Sequence, residues 1–105
     1  MSRLDISHCD GMADVRRHID DIDSRIVRLL AERSGYVAQA ARIKQDAADV
    51  HDQPRIDFII GRVKALAQEH GAPEAVVESA YRALIDASIA FERHEFSRLR
   101  EGEQA

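Results

Sequence analysis

The chain is expected to fold as an all-α domain of three helices whose first helix is much the longest. Apolar residues recur every three or four positions through three stretches, no stretch alternates with the period of two that marks a strand, and the helix-punctuating residues Pro54, Gly71 and Pro73 fall between the stretches. At 105 residues, with 45% hydrophobic side chains, the sequence describes a single domain over 1–105.

The first helix is expected from Met12 to about Asp46, with Asp10 and Asp14 near its positive N-terminal end. Val15, Ile19, Ile22, Ile26 and Leu29 form a stripe that reads as buried. Its length of roughly 52 Å exceeds the width of a globule of this size, so it needs a partner along its side. A polar link, Ala48 to Gln53, leads to Pro54 in the first turn of a second helix that carries Ile56, Ile59, Ile60, Val63 and Leu66 on one side and ends at Gly71. Pro73 opens a third helix, with Val77, Tyr81, Leu84, Ile85, Ser88 and Ile89 in its stripe, running to about Leu99. The ends, about 1–10 and 100–105, read as flexible.

Composition narrows the function classes. A formal net charge of −4 argues against nucleic acid or an anionic membrane surface as partner, so any cationic chemistry is local. Met1 to Asp10 contain no apolar run, which points away from a signal peptide or membrane span and toward the cytoplasm. Cys9 has no second cysteine to pair with, and His8, His18, His51, His70 and His94 lack zinc-ligand spacing.

The informative irregularity is Arg33, which occupies the next apolar place in the first helix's stripe. Val37 and Ala40 continue that face, and Lys44 follows one turn on. Two cations on an apolar seam carry a desolvation cost that a bound anion would offset, so the seam is read as a dry pocket for a small, multiply charged anion. Arg33 and Lys44 are close to three turns apart, within about 20° of each other and about 16 Å along the axis, so their side chains can converge. Arg16 lies about 25 Å from Arg33, too far to join them within one chain. It could join from an antiparallel partner, giving a two-fold dimer with two shared sites.

Several motifs in order resemble the all-helical chorismate mutase family, including its isochorismate-pyruvate lyase branch. They are Val15-Arg16-Arg17-His18-Ile19-Asp20 with Ile22-Asp23, Leu29-Leu30-Ala31-Glu32-Arg33, Ile43-Lys44, Asp52 with Arg55, and Ser88 with position 92. The resemblance covers roughly Cys9 to Arg98. It implies an intertwined homodimer of three-helix chains of the chorismate mutase II type, rearranging chorismate to prephenate with no metal or other cofactor. Arg33 and Lys44 would be the core cations, Arg16 the arginine donated by the neighbouring chain, and Arg55 a further electrostatic contact. Asp52, Ile56, Ser88 and Glu92 would complete the substrate-binding set, with Arg16, Arg33, Lys44 and Glu92 catalytic. On the residues alone, Asp52 reads as a helix cap and Ser88 as a hydroxyl bonded back to its own helix.

Two departures bear on the reaction. Many members carry glutamine where this chain has Glu92, and an ionised carboxylate cannot donate the hydrogen bond that glutamine supplies, so Glu92 would act as a neutral acid. Ile56 stands beside Arg55 where typical mutases have a glutamate for the ring hydroxyl. That apolar choice, with the opening Cys9-Asp10-Gly11-Met12-Ala13-Asp14, is similar to the lyase branch, whereas Ser88 with Glu92 is more like a mutase. The reading is therefore a chorismate mutase, with an isochorismate-pyruvate lyase giving salicylate and pyruvate as the alternative. A helical dimerisation module without chemistry is a third reading, which accounts for the stripes but not for their interruption by Arg33, Lys44 and Glu92.

Overall fold

The computed structural model describes residues 5–104, with side chains described through 102. Residues 1–4 and 105, within the ends expected to be flexible, lie outside the described residues. Three helices make up the fold: α1 (Met12–Ile43), α2 (Gln53–His70) and α3 (Glu74–Gln104), with a 3₁₀ turn, Ala47–Val50, between the first two.

α1 begins at Gly11, whose extended backbone supplies the cap position without a side-chain hydrogen bond. Asp14 sits in the first turn, where it suits the helix dipole, and also pairs with Arg17 at 3.1 Å. Asp10 lies before the cap, 3.4 Å from His8. At its other end α1 stops at Ile43, earlier than the expected Asp46. The backbone turns extended at Lys44 (ψ 143°), although the Lys44 N–H still donates to the Ala40 carbonyl at 2.9 Å. Asp46 then accepts from the Ala48 N–H at 2.9 Å, which nucleates the 3₁₀ turn where the sequence suggested only a link. Val50, 3% exposed, anchors that turn in the core.

α2 follows its sequence signals closely. The Asp52 carboxylate accepts from the Arg55 N–H at 3.1 Å, Pro54 lies in the first turn, and Gly71 ends the helix in the left-handed region at φ 70°. The Ala72 N–H closes back on the Ala67 carbonyl at 2.8 Å, satisfying one of the helix's last acceptors. α3 opens after Pro73 and continues to Gln104, beyond Leu99, where its end was expected. Arg100, assigned to the fraying tail, is instead half-buried.

α3 is the element on which the others converge, packing on α1, on α2 and on the 3₁₀ turn, whereas α1 and α2 scarcely meet. The core therefore gathers along α3 where α2, the C-terminal end of α1 and the 3₁₀ turn pack on it, with Ala41, Val50, Ile60, Val63, Ala67, Ile85 and Phe96 buried. Lys64 of α2 reaches Glu74 and Glu78 of α3 at 3.5 and 3.6 Å, and Arg82 pairs with Glu78 at 2.8 Å. The Arg82 hydrogen bond, with the Lys64 charge, holds the Glu78 carboxyl below its ordinary value. This exposed cluster contributes a little stability at neutral pH that is lost as the pH falls through the lowered value.

The molecule is elongated, 59 × 27 × 19 Å, because among the described residues nothing lies beside the first half of α1. Every residue from 16 to 32 is exposed. The stripe expected to be buried is thus uncovered within one chain: Ile19, Ile22, Ile26 and Leu29 are 50%, 43%, 45% and 61% exposed. Neither α2 nor α3 covers this stretch. No helix among the described residues is long and apolar enough to cross a membrane.

Candidate active site

A cavity of about 320 Å³ opens where the C-terminal end of α1, the start of α2 and the middle of α3 meet. Its apolar wall comes from Val37, Ile59, Ile85 and Ile89, while Arg33, Lys44, Asp52, Arg55, Ser88 and Glu92 bring their polar groups to it. Every site residue anticipated from the sequence except Arg16 therefore reaches one cavity, Ile56 among its lining residues.

Two polar contacts join α1 to α3 across this cavity. The Arg33 guanidinium donates to the Ser88 hydroxyl at 2.8 Å, and the Lys44 ammonium donates to a Glu92 carboxylate oxygen at 2.7 Å. Glu92 is 7% exposed and is the one charged side chain among the buried described residues. Burying a carboxylate is costly unless a cation and hydrogen bonds compensate it, so the close Lys44 partner is what the position requires. Ser88 does not bond back to its own helix as the residues alone suggested; it is an acceptor for Arg33. The cleft is more open than the dry pocket expected, since Arg33 is only half-buried and the Lys44 side chain keeps 27% of its surface exposed.

The charge inventory favours an anionic guest. Three cations (Arg33, Lys44, Arg55) face two carboxylates (Asp52, Glu92), and the Asp52 carboxylate already accepts from the Arg55 backbone as the α2 cap. The Arg55 side chain extends over the Phe58 ring, 5.2 Å from its centre, and so stays near the cavity mouth. A smaller cavity of about 210 Å³ shares Arg33, Arg55 and Ile59 and leads toward Arg62 and Tyr81. Arg16 is exposed on the uncovered half of α1, without an ion-pair partner among the described residues. Among the described residues, no cluster of His, Cys, Asp or Glu has the arrangement of a metal site.

The sequence profile of the chorismate mutase type II family matches residues 15–93. The chain belongs to that family. It is 31% identical over 85 residues to the chorismate mutase of Methanocaldococcus jannaschii, a match covering 80% of this chain and 86% of the relative. It is also 34% identical over 82 residues to the isochorismate pyruvate lyase of Pseudomonas aeruginosa, covering 78% of this chain and 81% of that enzyme. Arg33, Lys44, Asp52, Arg55, Ser88 and Glu92, on which the family resemblance rests in part, are the residues that supply the cavity's polar groups.

Sequence reasoning missed two contributors. Val50 closes part of the cavity from the 3₁₀ turn, and no helical periodicity marks it. Arg100 touches the backbone of Ala41 and Lys44, and its signal is the row Glu92, Phe96, Arg100, spaced four apart along α3, which places a charge beside a buried aromatic residue.

Proposed function

We propose that the chain is a chorismate mutase that converts chorismate to prephenate in the cavity between α1, α2 and α3. The observation that carries this reading is the convergence of Arg33, Lys44 and Arg55 on one apolar-walled cleft with Glu92 buried at its inner side. Chorismate is a dicarboxylate whose enolpyruvyl ether must fold over its ring before reacting. The ether carbon–oxygen bond breaks as a carbon–carbon bond forms within the same molecule, and the oxygen carries negative charge while that exchange is incomplete.

The roles follow from donor chemistry. Arg33 and Arg16 clamp the carboxylates, because a planar guanidinium matches a carboxylate with two parallel donors, and Arg55 adds a further positive contact at the mouth. Lys44 serves a carboxylate and the ether oxygen, where its charge strengthens as the oxygen becomes negative. Holding the reactive conformer accounts for a further part of the rate. Asp52 caps α2 and thereby orients Arg55, and Ser88 holds the Arg33 guanidinium toward the cavity.

Glu92 acts in this scheme as a proton-bearing donor to the ether oxygen. Its carboxylate pairs with Lys44 at 2.7 Å. Arg16 belongs to the site through a second chain. The uncovered stripe from Ile19 to Leu29 supports an intertwined homodimer in which antiparallel α1 helices bury that stripe and bring each Arg16 to the other chain's cavity.

The alternative is an isochorismate-pyruvate lyase, favoured by Ile56 at the position that would face the ring substituent and by the match to a lyase. The same clamp serves it: a hydrogen passes from the ring to the enolpyruvyl carbon as the ether bond breaks, yielding salicylate and pyruvate.

Product identification with chorismate and isochorismate in separate reactions decides between the two. Prephenate from chorismate at the higher rate is expected; salicylate with equal pyruvate from isochorismate as the main activity would make the chain a lyase. Glu92→Gln, which can donate to the ether oxygen without carrying a proton on a carboxyl, is expected to keep mutase turnover and Glu92→Ala to lose it; wild-type turnover in Glu92→Ala would remove Glu92 from the donor role. Mixing Arg16→Ala chains with Arg33→Leu chains, each inactive alone, is expected to restore about a quarter of the activity, because random pairing of a two-fold dimer rebuilds one intact site in half of the dimers. No recovery after verified exchange would place Arg16 outside the shared site.

A further inference from the structure

We propose that Arg100 is a positioning residue that fixes Lys44 in the cavity by clamping the end of α1. The inference deepens the reading above and rests on it only for the catalytic consequence. The clamp is visible in three contacts. One Arg100 guanidinium nitrogen donates to the Ala41 carbonyl at 3.3 Å, and the other donates to the Lys44 carbonyl. The guanidinium carbon lies 4.0 Å from the centre of the buried Phe96 ring, which fixes the plane of the fork.

The sequence around the end of α1 explains why such a clamp is needed. A helix leaves its last carbonyls without N–H partners, and most helices solve this with glycine in a left-handed cap or with water. Gln45 follows Lys44, and Gly71 is the only described residue with a positive φ, so no such cap stands here. Ala41 is 0% exposed, so water cannot reach its carbonyl. Arg100 supplies the missing donors and adds a positive charge at the negative end of the helix.

Lys44 is thereby held at several points. Its N–H donates to Ala40 at 2.9 Å, its carbonyl accepts from Arg100, and its ammonium donates to Glu92 at 2.7 Å. Glu92 and Arg100 are two turns apart on α3, so one helix sets both the side-chain and the backbone ends of this lysine. Lys44 is the C-cap of α1, and beyond its N–H the backbone turns extended with no further helical hydrogen bond to fix its direction. Without Arg100 the extended segment can swing, and the ammonium loses its place beside the reacting oxygen.

The test compares Arg100→Ala, Arg100→Lys and Arg100→Gln with wild type, alone and combined with Lys44→Ala. Arg100→Ala is expected to lower kcat about 10- to 100-fold with a smaller change in KM, the scale set by misplacing a catalytic group by about 1 Å. Arg100→Lys, which keeps the charge but loses the fork, is expected to recover part of the rate. In the Lys44→Ala background, Arg100→Ala is expected to cause no further loss. Full activity of Arg100→Ala, or an equal additional loss without Lys44, would overturn the proposal. If Arg100→Ala does not fold, Arg100→Lys and Arg100→Gln carry the same comparison. Amide hydrogen exchange over residues 40–46 separates this inference from the activity assignment. Faster exchange there in the Arg100 variants supports the clamp even if wild type turns over neither substrate, whereas unchanged exchange refutes it.

Discussion

The contact on which the site depends is the ion pair between Lys44, just past the end of α1, and the buried Glu92 in the middle of α3. Glu92 stands in a row of α3 residues that otherwise packs the core, and its carboxylate can occupy that place only with a cation against it. The cation has to come from outside α3. The pairing therefore ties the end of α1 to α3 and leaves charged groups where aliphatic side chains would close the gap, so a cavity persists. Arg33 and Ser88 repeat the arrangement three turns back along α1. A stable three-helix chain could replace all four residues with aliphatic ones, so their presence costs packing that the fold alone does not require.

Much of this was legible in the residues. The three stripes, Pro54, Gly71 and Pro73 marked the helices because each acts locally: proline removes a donor at a first turn, and glycine accepts the φ of 70° found at position 71. Arg33 and Lys44 stood out because a charge in an apolar series conflicts with burial. The Asp52 cap was equally local, since an Asp two residues before a Pro satisfies a free N–H of the first turn.

The features that the sequence concealed are those set at a distance. α1 ends at Ile43, and the donors to the Ala41 and Lys44 carbonyls at that end come from Arg100, more than fifty residues later. Nothing between Ile43 and Asp46 announces that stop, and Arg100 itself sits among polar residues that read as a tail. The Ser88 hydroxyl likewise accepts from Arg33 of another helix, fifty-five residues away in the chain. The first half of α1 shows the converse. Its stripe from Val15 to Leu29 is written for burial, yet among the described residues no helix lies beside it and Ile19, Ile22, Ile26 and Leu29 stay exposed.

Arg33→Leu, read as thermal unfolding beside turnover, separates a cation kept for a substrate from one kept for the fold. Leucine extends the apolar stripe, so the variant is expected to unfold at the same temperature as wild type or higher while its turnover falls by about three orders of magnitude or more, from the loss of a clamp that acts in the transition state. Wild-type turnover in a folded Arg33→Leu protein would remove Arg33 from the chemistry.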